Sequence, residues 1–136
     1  MLQYENHRFC WGEVAIEIPE GFFWNPDPDF ELQTGIFLLS PDKAYSLDIL
    51  IYEDAVSAYE ELTDIVMDFT LLEPVTAITV NTFSGYQAVY RTRTEQHYVV
   101  KLNIPGGVLS VEVKTDGQNI GRIKDRLVLG RIVHHR

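Results

Sequence analysis

The chain has 136 residues, of which 46% are apolar, including seven Phe, seven Tyr and two Trp, so it can bury one sizeable core and is not a disordered polar chain. Its formal net charge is −9, from 20 Asp/Glu against 11 Lys/Arg, which disfavours nucleic acid and anionic membranes as bulk partners. A lone cysteine excludes an intrachain disulfide framework, and no apolar run reaches membrane-spanning length.

Chain order then gives the elements. Residues Leu2–Trp11 read as a hairpin turning near Glu5-Asn6-His7, with Gly12 as a bulge. Glu13–Ile18 alternates, placing Val14, Ile16 and Ile18 on one face, and Pro19-Glu20-Gly21 ends that strand. Prolines 26 and 28 make Phe22–Leu32 a loop. Ile36-Phe37-Leu38-Leu39 reads as a short buried strand that turns through Ser40–Lys43 into Tyr45–Glu53, where Tyr45, Leu47, Ile49 and Ile51 share a face.

A helix follows. Ser57 and Glu60 have capping-box spacing, with Asp54 a competing cap one turn earlier. Tyr59, Leu62, Val66 and Phe69, with Ile65 beside them, form an apolar stripe opposite Glu60, Glu61, Asp64 and Asp68. Pro74 limits extension beyond Leu72.

Four strands come next, Val75–Phe83, Tyr86–Thr94, His97–Ile104 and Val108–Thr115. The links between them are too short for parallel crossovers, so they form an antiparallel meander. The expected core face gathers Ile78, Val80, Ala88, Tyr90, Tyr98, Val100, Leu102, Leu109, Val111 and Val113. Asn119 caps a second helix running through Ile123 and Leu127 to Gly130. The sum is one α+β domain over residues 1–136, a largely antiparallel sheet flanked by two main helices.

This order of elements, with the opening phrase Val14-Ala15-Ile16-Glu17-Ile18-Pro19-Glu20-Gly21-Phe22, resembles the PsbP/Mog-like fold family. The resemblance implies an α/β/α sandwich around an antiparallel sheet. It also implies a binding or assembly role, in some members that of a chaperone for secreted effectors, and it supplies no catalytic residues or cofactor.

The acidic loop Asn25–Glu31 has oxygen ligands at alternate positions but lacks the glycine and distal Glu of a calcium loop, so it reads as a solvated loop. Cys10 with His7 lacks an orienting acid, and His134-His135 lacks further ligands; no metal site and no catalytic constellation is assigned. The aromatics Phe22, Phe23, Trp24 and Phe30 are candidates for a partner surface, with core packing as the plainer reading. Opposite the apolar sheet face, Arg91, Arg93, Lys101 and Lys114 form a candidate basic docking face, provided no helix covers it. Residues 119–136 add a basic end, with Arg122, Lys124, Arg126, Arg131 and Arg136 against Asp125.

The function expected is a non-catalytic protein-binding or assembly module with a protein partner, no cofactor, and no nucleic-acid or membrane partner. The alternative is a small-molecule-binding protein or weak enzyme with a pocket between sheet and helix. With one Cys and no basic start followed by an apolar run in residues 1–30, a cytoplasmic location is expected.

Overall fold

The computed structural model describes residues 3–5, 7–23, 35–116, 120 and 131–134. The N-terminal strands are β1 (Gln3–Glu5), β2 (Arg8–Trp11) and β3 (Val14–Glu17). They are followed by β4 (Gly35–Leu39), β5 (Tyr45–Tyr52), the helix α1 (Ala58–Val66), β6 (Thr70–Val80), β7 (Phe83–Arg91), β8 (Gln96–Ile104), β9 (Gly107–Thr115) and β10 (Ile132–His134). Two antiparallel sheets result. The larger has six strands in the order β4-β5-β9-β8-β7-β6, and the smaller has four in the order β1-β2-β3-β10.

The β6-β7-β8-β9 meander follows from its tight turns. Asn81, at φ 55°, helps close the β6–β7 hairpin, and Gly106, at φ 89°, lies in the β8–β9 turn. β5 returns to pair with β9, with Asp48 opposite Glu112 and Ile49 opposite Val111. Gly12 is not a bulge: at φ 53° it sits in the turn between Trp11 and Val14, which are themselves paired.

One face of the six-stranded sheet meets the four-stranded sheet. Their shared core holds Leu47, Ile49, Val89, Tyr98, Val100, Leu109, Val111 and Val113 with Phe9, Val14, Ile16 and Ile132. Thr82 Oγ1 lies 2.7 Å from His134 Nε2, tying the β6–β7 turn to the smaller sheet. On the opposite face lies α1, where Leu62 and Val66 pack on Ala88, Tyr90 and Val99. Ser57 caps α1, its hydroxyl accepting from the Glu60 amide at 3.2 Å.

Three expectations are corrected. Ala88 and Tyr90 lie on the helix side, because β7 runs unbroken and sets Val89 opposite Tyr98. The polar Gln87 faces the other way, accepting a hydrogen bond from the Tyr98 hydroxyl at 2.7 Å. β6 starts at Thr70 rather than Val75; Pro74 is accommodated because β6 is an edge strand with register shifts around Glu73. Two main helices are not borne out among the described residues: α1 is the one helix of any length, and the C-terminal helix falls outside them except for the buried, helical Ile120.

Candidate functional site

Strand pairing lays a row of side chains across the helix-side face of the large sheet. Phe37 pairs with Asp48, Asp48 with Glu112, Glu112 with Val99, and Val99 with Ala88. One step along, Leu39, Ser46, Lys114, His97 and Tyr90 form a parallel row. Because α1 is short, it covers only the β7–β8 side of this face. The polar residues therefore sit where a sheet half roofed by a helix gives way to an open groove.

Glu112 is the hub. The Tyr90 hydroxyl donates to its Oε1 at 2.6 Å, and His97 Nδ1 lies 3.1 Å from the same oxygen. The His97 ring stacks on Tyr90 with centroids 4.6 Å apart. Burial pushes the Glu112 carboxyl up, but the bonds from His97 and Tyr90 outweigh it and hold the group below its ordinary value. Burial, reinforced by the hydrogen bond to Glu112, pushes the Tyr90 hydroxyl far up, so it is a donor. His97 Nε2 is buried without a hydrogen-bond partner; the nearest carboxylate oxygen is that of Glu95 at 3.8 Å.

Beside this hub, Lys114 Nζ pairs with Asp48 Oδ2 at 3.1 Å. Burial costs the Asp48 carboxylate more than Lys114 returns, so its pKa is raised. Lys114 is nearer solvent; there the bond to Asp48 outweighs burial, and its pKa is raised too. Lys101 is 1% exposed, with its ammonium 4.7 Å from the Tyr52 ring centroid. Burial pushes it down to about 8, against the attraction of Glu112 and Glu61.

The Asp48–Lys114 pair lines a groove of about 630 Å³ whose other walls are Phe23, Phe37, Leu38, Leu39 and Ser46. Two aromatic side chains stand open beside it, Phe23 at 55% exposure and Phe37 at 65%. Backbone bonds hold Phe23 there: its N–H donates to Leu39 O at 2.8 Å, and its carbonyl accepts from Leu39 N–H at 2.9 Å.

The structure separates residues that the sequence grouped. Phe22 is half-buried against Tyr45, with ring centroids 5.7 Å apart, whereas Phe23 is exposed; Trp24 and Phe30 lie outside the described residues, as does the acidic loop Asn25–Glu31. The four cations are not brought together. Lys101 is buried and Lys114 is paired, while Arg91 and Arg93 are exposed beside a separate depression of about 600 Å³ with Asp68 and Phe69. Cys10 is buried in β2, while His7 sits in the exposed turn, its Nδ1 3.2 Å from the Tyr4 hydroxyl. Among the described residues no group of three or more His, Cys, Asp and Glu is placed to hold a metal ion. No helix among them is long and apolar enough to cross a membrane. His135 and the basic residues 122, 124, 126 and 136 lie outside the described residues.

Sequence reasoning missed Phe37, read as part of a buried strand. Ile36 and Leu38 are buried while Phe37 points out, and an all-apolar run hides that alternation. It also left Asp48 and Tyr90 out of any site. The available signal was the apolar stripe of α1, which had to be buried on one face of the meander.

No family model matches the chain, and no curated protein matches it in sequence. Among solved structures it is similar to cyanobacterial PsbP (CyanoP) from Synechocystis sp. PCC 6803, with TM-score 0.62 and 11% identity over 90% of this chain and 87% of that one. It is also similar to a protein from Bacteroides thetaiotaomicron VPI-5482, with TM-score 0.56 and 8% identity over 92% of this chain; the chain spans about half that protein's length, 49%. At such identities the likeness shows the fold alone: the chain has a PsbP-like fold, the fold that the order of its elements and the phrase Val14–Phe22 together resembled.

Proposed function

We propose that this protein is a non-catalytic binding or assembly module that holds a protein partner in the groove beside Phe23 and Phe37. The observation that carries the reading is the pairing of two open aromatic side chains with an ion pair, Asp48–Lys114, along one groove. Aromatic anchors supply most of the affinity in such surfaces, and a charged pair at the margin sets orientation. Phe23 and Phe37 do not support the core in proportion to their size, so a solvent-facing role fits them better than a packing one. The adaptor or chaperone form of this reading and its cytoplasmic setting belong to the same proposal. The lone buried Cys10 suits a reducing compartment.

The test is affinity capture with wild type and a Phe23→Ser, Phe37→Ser double variant. A discrete partner held by wild type and lost by the variant, with the melting temperature little changed, supports the reading. Identical captures from both proteins overturn it.

A second reading, a small-molecule-binding protein or weak enzyme, is favoured by one observation: the buried, unpartnered Nε2 of His97 beside Glu112. It requires a ligand that raises the thermal midpoint of wild type and not that of His97→Gln.

A further inference from the structure

The buried ring of His97 ends in a nitrogen that nothing satisfies. Glu112 is held as a carboxylate, which only accepts, so His97 Nδ1–H is the donor in the 3.1 Å contact to its Oε1. In the neutral ring Nε2 is then a bare lone pair, and it is buried without a partner. Its neighbour is a second acceptor, the Glu95 carboxylate, 3.8 Å away. Two acceptors therefore stand side by side, and neither has a donor among the described residues.

The surroundings fix the side from which a donor can enter. Tyr90 stacks on one face of the ring, and Glu112 holds its Nδ1 edge. Glu95 is the open side, with 42% of its side chain exposed. Its backbone is tied into the β7–β8 turn: its carbonyl accepts from Thr92 N–H at 2.9 Å, and its N–H donates to Thr92 Oγ1 at 3.2 Å. A cavity of about 180 Å³ opens beside Glu95, and it shares Leu39, Ser46 and Lys114 with the groove of Phe23 and Phe37. A chain segment lying in that groove can thus send a side chain past Lys114 to Glu95.

Hydrogen-bond capacity and charge select what that side chain carries. A carboxylate would add a further acceptor to the two already unmatched, and a hydroxyl has one hydrogen to give. An ammonium or guanidinium has N–H for both, and its bonds to a carboxylate are charge-assisted. Glu95, Glu112, Asp48 and Asp116 stand here against Lys43 and Lys114, and Lys114 is already bonded to Asp48. The formal net charge of −9 favours a cation as well.

We propose, resting on the reading that the groove holds a protein partner, that His97 Nε2 and the Glu95 carboxylate receive the side-chain cation of a lysine or arginine from that partner. Phe23 and Phe37 anchor the segment, and the His97–Glu95 gap sets its register.

The probe is n-butylammonium chloride, with tetramethylammonium chloride, which has no N–H, as the control at equal ionic strength. The whole chain, isotope-labelled in nitrogen, is titrated at about pH 8, where imidazoles are ordinarily neutral, and the His97 side-chain signals are followed by NMR. A saturable shift of the Nε2 signal with n-butylammonium and none with tetramethylammonium is expected. Glu95→Ala leaves the backbone bonds of the turn in place and weakens the binding about fivefold. No saturable shift, an equal response to both cations, or a spectrum in which Nε2 already carries hydrogen overturns the proposal. So does a partner that the Phe23→Ser, Phe37→Ser variant loses and Glu95→Ala holds as tightly as wild type. That last result leaves the groove reading standing, which fails only when the double variant captures what wild type captures.

Discussion

Replacing Lys101 with Met should stabilise the protein at neutral pH. Lys101 is 1% exposed, and its ammonium lies 4.7 Å from the Tyr52 ring centroid. Its pKa falls from 10.5 to about 8 on folding, so the folded state holds the proton less well than the unfolded chain. That difference of about 2.5 units, at 1.36 kcal/mol per unit, makes the charged form cost about 3 kcal/mol at pH 7. The Tyr52 ring returns about 1 kcal/mol of this, so Lys101→Met, of similar length and apolar, should gain about 2 kcal/mol. The pH dependence has a definite sign. Between about pH 8 and 10.5 the unfolded chain binds more protons at this site, so Lys101 makes stability rise with pH across that window. Urea unfolding of both proteins from pH 7 to 10 measures it. The reasoning predicts that the variant's advantage is full at pH 7 and shrinks as pH rises above 8. It is refuted if Lys101→Met is less stable than wild type at pH 7, or if the difference does not change with pH.

Three further perturbations follow from the same face and its supports. Tyr90→Phe removes the 2.6 Å bond to Glu112 and should cost about 1.5 kcal/mol in urea unfolding. Since the folded Glu112 pKa lies below its ordinary value of 4.5, its contribution is present above that pH and lost as pH falls through the folded value. Tyr90→Phe should therefore flatten the acid side of the stability profile. Gly85→Ala should fail to yield a stable fold, because a Cβ there would lie 1.9 Å from the Lys101 carbonyl oxygen; soluble yield and circular dichroism report it. Ser57→Ala removes the cap of α1 and should cost about 1 kcal/mol, read as a lower thermal midpoint with an unchanged spectrum.

Much of the fold is legible in local pattern, and the losses have physical causes. The cap at Ser57, the Leu62 and Val66 part of the α1 stripe and the tight turns of the meander are written in neighbouring residues, and the structure places them there; the helix ends at Val66, leaving Phe69 beyond it. The facing of β7 was misread because Gln87 looks like a solvent marker. It is instead half-buried on the core side, where the Tyr98 hydroxyl donates to it. Pro74 looks like a barrier, and becomes acceptable only on an edge strand, a property set by the whole sheet. The second sheet depends on β10 pairing with β3 across the length of the chain, a contact with no local signature. The site suffers most from this. Lys101 and Lys114 look alike in an alternating strand, yet one is buried against Tyr52 and the other reaches Asp48. The groove joins β4, β5 and β9 with Phe23, so no single segment announces it.

The claim that the groove is a partner surface is tested most directly by photo-crosslinking in the native cells. A photoreactive phenylalanine analogue replaces Phe37, and, as a control, Val56, which is 82% exposed but does not line the groove. The account predicts a discrete crosslinked protein from position 37 and none of that identity from position 56. No product at position 37, or the same products from both positions, would contradict it.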